Sequence, residues 1–276
     1  MASEKSLAIV LRVTEFSETS CIVNLLTREF GRIGAIAKGA RRLKSPFAAA
    51  IDVLAICEIV FINKPSSLSI LTEAKLERRF RAGETDLKRL YAGYYVVELL
   101  RTLTDEGDPV PALFDLTHQM LTQLDENDFS EKDLNNRLLQ YELGLLDLLG
   151  QLPMLTRCVS CGREKTMLSE VNFGLNAGGV LCQTCRRGQP NVVQVSSAGF
   201  QSLLNLVGAQ IGQQESNSDN WNQAHQIKER RIRSWTSKTI ENSSVDELSE
   251  IRELLKLYIT HLLGYPPKLY SFMKQV

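Results

Sequence analysis

The chain has 276 residues, 43% of them hydrophobic, and its 32 basic residues balance 32 acidic ones. This size and composition are typical of a globular protein with two domains or one elaborated domain, and they exclude a disordered or fibrous chain. No run of residues approaches the roughly eighteen apolar residues of a membrane-spanning helix, and residues 1–20 lack the pattern of a signal peptide. We therefore expect a protein of the reducing cytoplasm, with no membrane attachment.

The neutral total charge hides a segregation along the chain. Residues 1–82 carry 13 Lys and Arg against 8 Asp and Glu, a net charge of +5, whereas residues 83–150 carry 5 against 14, a net charge of −9. A basic segment beside an acidic one predicts that the first meets a polyanion while the second faces solvent or a basic partner. The alternative is that both segments are simply solvated surfaces.

The first eighty residues read as short strands. Runs rich in Ile, Val and Leu occur at 7–13, 21–27, 33–37, 51–62 and 68–71. Turn segments such as Glu-Phe-Ser-Glu and Asn-Lys-Pro-Ser-Ser separate these runs. Five strands in so short a span predict a small closed barrel, and the OB-fold is the obvious candidate.

A basic loop follows the third predicted strand. Within seven residues it places four cations, namely Lys38, Arg41, Arg42 and Lys44. Flexible cations on the rim of a barrel neutralise phosphates without reading bases, so this loop predicts a contact with nucleic acid. The alternative interpretation is a solvated turn.

Other residues of the first segment would extend such a surface. Arg12, Arg28 and Arg32 are further candidate phosphate contacts, and Phe30 or Phe47 would offer a face on which bases stack. The alternative for both phenylalanines is packing in the core of the barrel.

From residue 84 onward the apolar period becomes helical. Leu87, Leu90, Tyr94 and Val97 recur at steps of three and four residues and predict a core-facing stripe. Similar stripes occupy 134–148, after a capping sequence that begins at Ser130, and 248–262, between a cap at Ser244 and a stop at Gly264. The pattern predicts a helical bundle.

Four cysteines form the sharpest chemical motif. They stand in two Cys-x-x-Cys pairs with twenty residues between the pairs, at Cys158, Cys161, Cys182 and Cys185. This spacing lies at the upper limit for a zinc site with four thiolate ligands. Four thiolates leave no open position for water or substrate, so the predicted zinc is structural. The alternative is a pair of disulfides.

Two further thiols, Cys21 and Cys57, lie within apolar runs. We interpret them as small buried hydrophobic residues rather than reactive groups.

Enzyme motifs are absent from the sequence. The chain contains no Gly-x-x-x-x-Gly-Lys-Ser/Thr loop, no Gly-x-Gly-x-x-Gly, no His-Glu-x-x-His and no Gly-x-Ser-x-Gly. We therefore expect a protein that is not an enzyme and does not use ATP. Two alternatives stay open: a hydrolase or nuclease with an unrecognised site, and a zinc-ribbon interaction or transcription module that contacts a partner through Arg157, Arg163, Arg186 and Arg187.

Several segments, taken in their order along the chain, resemble the bacterial RecO family of recombinational repair proteins. They are Ala-Ile-Val-Leu-Arg at 8–12, Thr-Arg-Glu-Phe-Gly-Arg-Ile at 27–33, Lys-Gly-Ala-Arg-Arg at 38–42, the approach to the first cysteine pair from Leu145 to Pro153, Cys-Val-Ser-Cys-Gly at 158–162 and Gly-Gly-Val-Leu-Cys at 178–182. The resemblance covers nearly the whole chain. It implies an α+β multidomain protein with an N-terminal OB-fold β-barrel at 1–82 and an α-helical C-terminal domain at 83–276, into which a zinc ribbon is inserted at about 154–190.

The resemblance also implies a function. Proteins similar to this one bind single- and double-stranded DNA through the OB domain, anneal complementary strands, and act with RecR and single-stranded DNA-binding protein to load RecA at gaps. It implies DNA contacts by the basic loop at Lys38, Arg41, Arg42 and Lys44, and one structural zinc on the four paired cysteines. The expected location is the bacterial cytoplasm, at the nucleoid.

The helical domain of relatives holds a pocket for the acidic tail of single-stranded DNA-binding protein. The sequence does not identify the residues of that pocket here. The acidic charge of residues 83–150 opposes an acidic tail unless local cations outweigh it.

Overall fold

The computed structural model describes residues 3–42, 45, 47, 50–64, 67–126, 128–164, 170–211 and 244–273. The chain divides into two compact units, Met1–Asp128 with Leu269–Val276 and Phe129–Lys268. The domain boundaries expected from the sequence stay predictions. Within the described residues, every helix is too short or too polar to cross a bilayer.

Five strands close into a barrel in the first unit. They are β1 Ser3–Glu15, β2 Cys21–Thr27, β3 Gly31–Ala37, β4 Ile56–Ile62 and β5 Ser69–Arg78, in the order β1-β2-β3-β5-β4 around the barrel. Neighbouring strands are antiparallel except β3 and β5, which pair in parallel. The predicted α+β fold class with an N-terminal barrel of OB type is confirmed.

Alternate residues of the strands fill the interior of the barrel. Val10, Val23, Ala35 and Ile59 are fully buried there, as the period of two along a strand requires. Phe47 is also buried in this core, with 4% of its surface exposed. Phe30 packs against the core with its ring edge-on to Phe61, at 5.2 Å between centroids. Core packing is therefore the correct interpretation for Phe30 and Phe47.

The fourth strand starts later than the sequence predicts. Residues 52–55 form a turn, in which the Ala55 N–H donates to the Asp52 carbonyl at 3.0 Å and Leu54 has a φ of 73°. The fifth strand, by contrast, continues to Arg78. Its second half exposes Glu73, Lys75 and Glu77, so the apolar signal fades while the pairing with β4 persists.

Helices make up most of the described residues in the rest of the chain. The described helices are α1 Leu87–Leu103, α2 Pro111–Glu126, α3 Glu131–Leu148, α4 Ser197–Ile211, α5 Val245–Leu263 and α6 Tyr270–Met273, and a 3₁₀ turn, Ala82–Glu84, precedes α1. The helices α1, α2 and α6 belong to the first unit, and α3, α4 and α5 belong to the second.

The predicted core stripe of α1 is partly wrong. Leu87 is 61% exposed and Tyr94 is 37% exposed, whereas Val97 is buried. The buried face is instead centred on residues such as Tyr95 and Val96, and the ring of Tyr270 packs on Tyr95 at 5.1 Å between centroids. The buried face of α1 therefore includes a contact from the far end of the chain.

The stripe of α3 is confirmed, and that of α5 is confirmed except at its end, where Leu262 is 37% exposed. Leu138 and Tyr141 on α3 and Ile251 and Leu255 on α5 are buried. The Ser130 hydroxyl accepts the Asp133 N–H and the Ser244 hydroxyl accepts the Glu247 N–H, which caps both helices as predicted. Gly264 ends α5 with a φ of 77°.

A three-stranded sheet lies between α3 and α4 along the chain. Its strands are β6 Glu170–Gly174, β7 Gly179–Leu181 and β8 Val192–Ser196, in the order β7-β6-β8. Met154 makes a bridge to Gly179, where a Cβ atom would lie 2.3 Å from the Met154 carbonyl oxygen. Glycine at 179 therefore lets the chain segment that leads to the first cysteine pair lie against β7.

Candidate metal centre and nucleic-acid interface

Each cysteine pair sits in a tight turn. At the first, the Gly162 N–H donates to the Cys158 carbonyl and the Cys158 N–H donates to the Arg163 carbonyl, both at 2.8 Å. At the second, the Arg186 N–H donates to the Cys182 carbonyl at 3.0 Å. Gly162, with a φ of 72°, allows the first turn to fold back in a conformation that other residues rarely adopt.

These turns bring the four predicted sulfur ligands together. The sulfurs of Cys158, Cys161, Cys182 and Cys185 all lie within 4.8 Å of one another, and those of Cys161 and Cys182 are 3.8 Å apart. A tetrahedral ion with metal–sulfur bonds of about 2.3 Å holds its sulfurs about 3.8 Å apart. The cluster therefore has the ligand number and spacing to hold one metal ion.

Backbone amides stabilise negative charge on two of the sulfurs. Burial raises the pKa of the Cys158 thiol, but N–H groups, that of Cys182 foremost, outweigh it and lower the pKa from 9.0 to about 6. The Cys185 N–H donates to the Cys182 sulfur at 3.4 Å and lowers the pKa of that thiol. Hydrogen bonding by the Cys185 thiol to the other sulfurs raises its own pKa to about 12. Backbone N–H groups around Cys158 and Cys182 thus lower the pKa of both thiols.

The donor set fits a soft, tetrahedral metal and a structural role. Thiolate ligands suit Zn²⁺, and four of them fill its coordination shell. All six cysteines are free thiols, so the disulfide alternative is not what the structure contains. Cys21 and Cys57 are buried in the barrel as expected, and burial raises the pKa of Cys57 to about 12.

At one end of the barrel, candidate DNA-contacting cations are exposed on the outer wall. A bulge between Val10 and Arg12 resets the alternation of β1, so that Val13 packs inward while Arg12 is exposed. Beyond the end of β3, Lys38 and Arg42 are also exposed. We call Arg12, Lys38, Arg41 and Arg42 the open-end cations.

Arg41 joins two loops at this end of the barrel. Its N–H donates to the Thr19 carbonyl and its guanidinium donates to the Ser17 carbonyl, each at 3.1 Å. The guanidinium also lies 3.0 Å from the carboxylate of Glu15. The basic loop is therefore tied to the β1–β2 hairpin through Arg41, while the side chains of Lys38 and Arg42 point to solvent.

Arg28 and Arg32 lie in different surroundings from the open-end cations. Arg28 makes two hydrogen bonds to the Asp115 carboxylate on α2, at 2.8 and 3.0 Å. Arg32 donates to the Arg101 carbonyl at 3.2 Å and is bridged to Glu106 through its backbone. The structure therefore groups four of the seven predicted DNA-contacting residues at one end of the barrel. It places Arg28 and Arg32 against the helical part of the first unit. The seventh residue, Lys44, lies outside the described residues.

Both parts of the chain match known protein families. Residues 1–80 match the family model described as "Recombination protein O N terminal", and residues 84–270 match "Recombination protein O C terminal".

Individual relatives agree with the family models. The chain is 45% identical over 202 residues to the DNA repair protein RecO of Rhodopirellula baltica, covering 72% of this chain and 73% of that protein. It is 33% identical over 199 residues to the DNA repair protein RecO of Bacillus pumilus, covering 72% and 75%, and 32% identical over 182 residues to that of Listeria welshimeri, covering 66% and 68%. With both halves matched and these identities, the chain belongs to the RecO family of DNA repair proteins.

Proposed function

We propose that this protein is a non-enzymatic mediator of recombinational DNA repair. It binds single- and double-stranded DNA, anneals complementary strands without ATP, and helps to load RecA on gaps coated with single-stranded DNA-binding protein, together with RecR. It works at the bacterial nucleoid in the cytoplasm. Membership of the RecO family over nearly the whole chain carries this proposal.

The open-end cations supply the physical basis for DNA binding. Lys38 and Arg42 are exposed and lie beside Arg41, which the hairpin holds in place. Phosphates neutralised by such cations release condensed counterions, and this release gives affinity for any sequence. Two strands whose phosphates are neutralised on one protein repel each other less, so their bases can pair without nucleotide hydrolysis.

The paired cysteines support a structural role for one zinc ion. Cys158 and Cys185 stand at the two ends of a segment that contains the short strands β6 and β7. A metal bound by both cysteine pairs would fix these strands, since binding energy at a structural site is folding energy.

A double substitution tests the DNA-binding surface. Lys38→Ala with Arg42→Ala removes two exposed cations without touching the contacts of Arg41. We expect weaker binding to all sequences, and a log–log salt slope that flattens by about 0.7 to 0.9 for each phosphate that is no longer neutralised. The measurement is a salt titration of fluorescence anisotropy with labelled single-stranded and duplex oligonucleotides.

A matched double substitution serves as the control and tests the rival function. Arg163 and Arg187 are exposed around the cysteine cluster, so Arg163→Ala with Arg187→Ala removes the same charge from the ribbon. We expect this variant to bind DNA as the wild type does. If the ribbon variant loses affinity while the Lys38 and Arg42 variant keeps it, the ribbon interaction module is the better assignment.

An annealing assay tests the mediator role. The purified full chain should accelerate pairing of complementary oligonucleotides, followed by fluorescence quenching, equally with and without ATP. A strict requirement for ATP, or metal-dependent cleavage of the strands, would contradict the proposal and favour an enzyme.

A further inference from the structure

The β1–β2 hairpin carries an aromatic side chain in solvent. Phe16 follows the last residue of β1 and is 58% exposed. A single exposed apolar residue is common on protein surfaces and by itself indicates nothing. Phe16 differs from such residues because its surroundings are positively charged and are held in a fixed conformation.

Hydrogen bonds fix the backbone on which Phe16 stands. Its N–H donates to the Ser20 carbonyl at 3.0 Å, and the Ser17 N–H donates to the same carbonyl at 3.2 Å. The Ser20 N–H in turn donates to the Ser17 hydroxyl at 3.1 Å. The contacts of Arg41 with Ser17 and Thr19 add to these hydrogen bonds. The aromatic ring therefore projects from a turn with a fixed backbone rather than from a flexible loop.

The register of the barrel places Phe16 among the open-end cations. Glu15, Cys21 and Ala37 pair across β1, β2 and β3, so Phe16, Ser20 and Lys38 occupy the next row outward. With neighbouring strands about 4.8 Å apart, the Cα atoms of Phe16 and Lys38 are about 10 Å apart.

Alternation along β1 extends the same face in the other direction. After the bulge, Arg12, Thr14 and Phe16 are all exposed at steps of two residues. At about 3.3 Å per residue, Arg12 lies about 13 Å from Phe16 along the strand. Phe16 therefore has one cation along its own strand and another across the sheet.

The local charge favours a polyanion over an apolar protein surface. The hairpin sets two carboxylates, Glu15 and Glu18, against the charge of the four open-end cations. Glu15 is already paired with Arg41. A flat apolar ring surrounded by excess positive charge matches a nucleobase that is attached to a phosphate backbone.

We propose that Phe16 stacks on an unpaired base of single-stranded DNA while Lys38 and Arg12 contact the flanking phosphates. This inference rests on the proposed DNA-binding function and adds to it a preference for single-stranded DNA. Bases inside a duplex already stack on each other and offer no free face. The Phe16 ring therefore strengthens binding to single strands only, whereas the open-end cations strengthen binding to both forms.

Substitution of Phe16 separates these contributions. Phe16→Ala should weaken binding of a labelled oligothymidylate about 5- to 150-fold, the factor expected when one base–aromatic stack is removed. Duplex affinity and the salt slope should not change, because every cation that neutralises a phosphate is retained. An oligomer of the same length with abasic sites should bind the wild type and Phe16→Ala equally well.

Two kinds of variant serve as controls. Phe16→Trp keeps a stacking face and should retain the affinity for oligothymidylate, whereas Phe16→Leu keeps an apolar side chain and should lose it. Tyr265→Ala removes an aromatic residue that is 48% exposed in the second unit and should have no effect. Thermal unfolding of each variant checks that the fold is intact.

The outcomes distinguish this inference from the proposed function. If the wild type binds neither DNA form, the proposed function fails and the inference fails with it. If the wild type binds DNA but Phe16→Ala binds oligothymidylate equally tightly, only the stacking role of Phe16 is wrong. If Phe16→Leu retains full affinity, the side chain acts through apolar contact and not through stacking, which also overturns the proposal.

Discussion

At the scale of single residues, surroundings decide what identical side chains do. Arg12 is exposed, whereas Arg28 is held by Asp115, a residue 87 positions further along the chain. Cys57 is a buried hydrophobic residue whose pKa is raised, whereas backbone N–H groups lower the pKa of Cys158. The residue type therefore sets which interactions a side chain can make. Its neighbours in the fold determine which of these interactions it does make.

The cluster of four sulfurs leads to a test at this scale. Cys158→Ser should reduce the bound metal from about one ion per chain to nearly none, because an incomplete shell binds weakly. The free energy of unfolding should fall by about 4 kcal/mol or more, as is typical for loss of a structural metal. Elemental analysis and denaturant titration measure the two effects.

Ser160→Ala is the matched control for Cys158→Ser. Ser160 lies in the same turn with an exposed side chain, and only its backbone N–H supports the Cys158 sulfur. This variant should keep both metal and stability. A wild-type protein that is well folded and metal-free after purification under reducing conditions would contradict the metal assignment.

At the scale of elements, a glycine in the hairpin between β2 and β3 permits a close approach of another segment. Gly31 has a φ of 67°, and a Cβ atom there would lie 2.3 Å from the Asp108 carbonyl oxygen. The segment between α1 and α2 also contacts this hairpin through the hydrogen bond from the Gly107 N–H to the Arg32 carbonyl, at 2.9 Å. This packing explains why Arg32 lies against the helical part of the first unit.

A pair of glycine substitutions tests this packing. Gly107 also has a positive φ, 76°, but a Cβ atom would meet nothing within 4 Å. Gly107→Ala should cost about 1 to 2 kcal/mol, the penalty of a left-handed conformation. Gly31→Ala carries the same penalty and a backbone clash, so its cost should exceed that of Gly107→Ala by about 2 kcal/mol or more. Equal losses in denaturant titration would mean that the approach of Asp108 does not constrain residue 31.

At the scale of the whole molecule, the two candidate sites belong to different compact units. The open-end cations lie in Met1–Asp128, and the four paired cysteines lie in Phe129–Lys268. Each unit has its own buried residues, such as Val23 in the first and Leu138 in the second. We therefore expect the proposed DNA binding and the proposed metal binding to be separable properties of one chain.

Removal of metal tests this separation. Chelation should lower the midpoint of thermal unfolding for the second unit, because the short strands β6 and β7 lose their link to the cysteine pairs. Salt-sensitive binding of single-stranded oligonucleotides should persist, since the open-end cations lie in the first unit. Calorimetry and anisotropy on the same chelated sample measure both. Full loss of DNA binding after chelation, with the first unit still folded, would assign the DNA surface to the ribbon.

Features that depend on residues close together in the chain were predictable from the sequence. Cys-x-x-Cys pairs form turns that aim two sulfurs at one point, alternation of apolar residues marks most of the barrel strands, and the caps at Ser130 and Ser244 act within three residues. These local rules were sufficient to predict the barrel, the helices α3 and α5, and the four sulfur ligands, since little beyond the local chain is needed to satisfy them.

The side chains that remain available to a ligand could be identified only from the folded chain. Phe30 and Phe47 pack in or against the barrel core while Phe16, in a segment that reads only as a turn, is exposed. Arg28 is engaged by Asp115, and Tyr270 packs on the buried face of α1. Such outcomes depend on contacts between residues far apart in the chain, and the apolar period or charge of a segment carries no information about its distant partners.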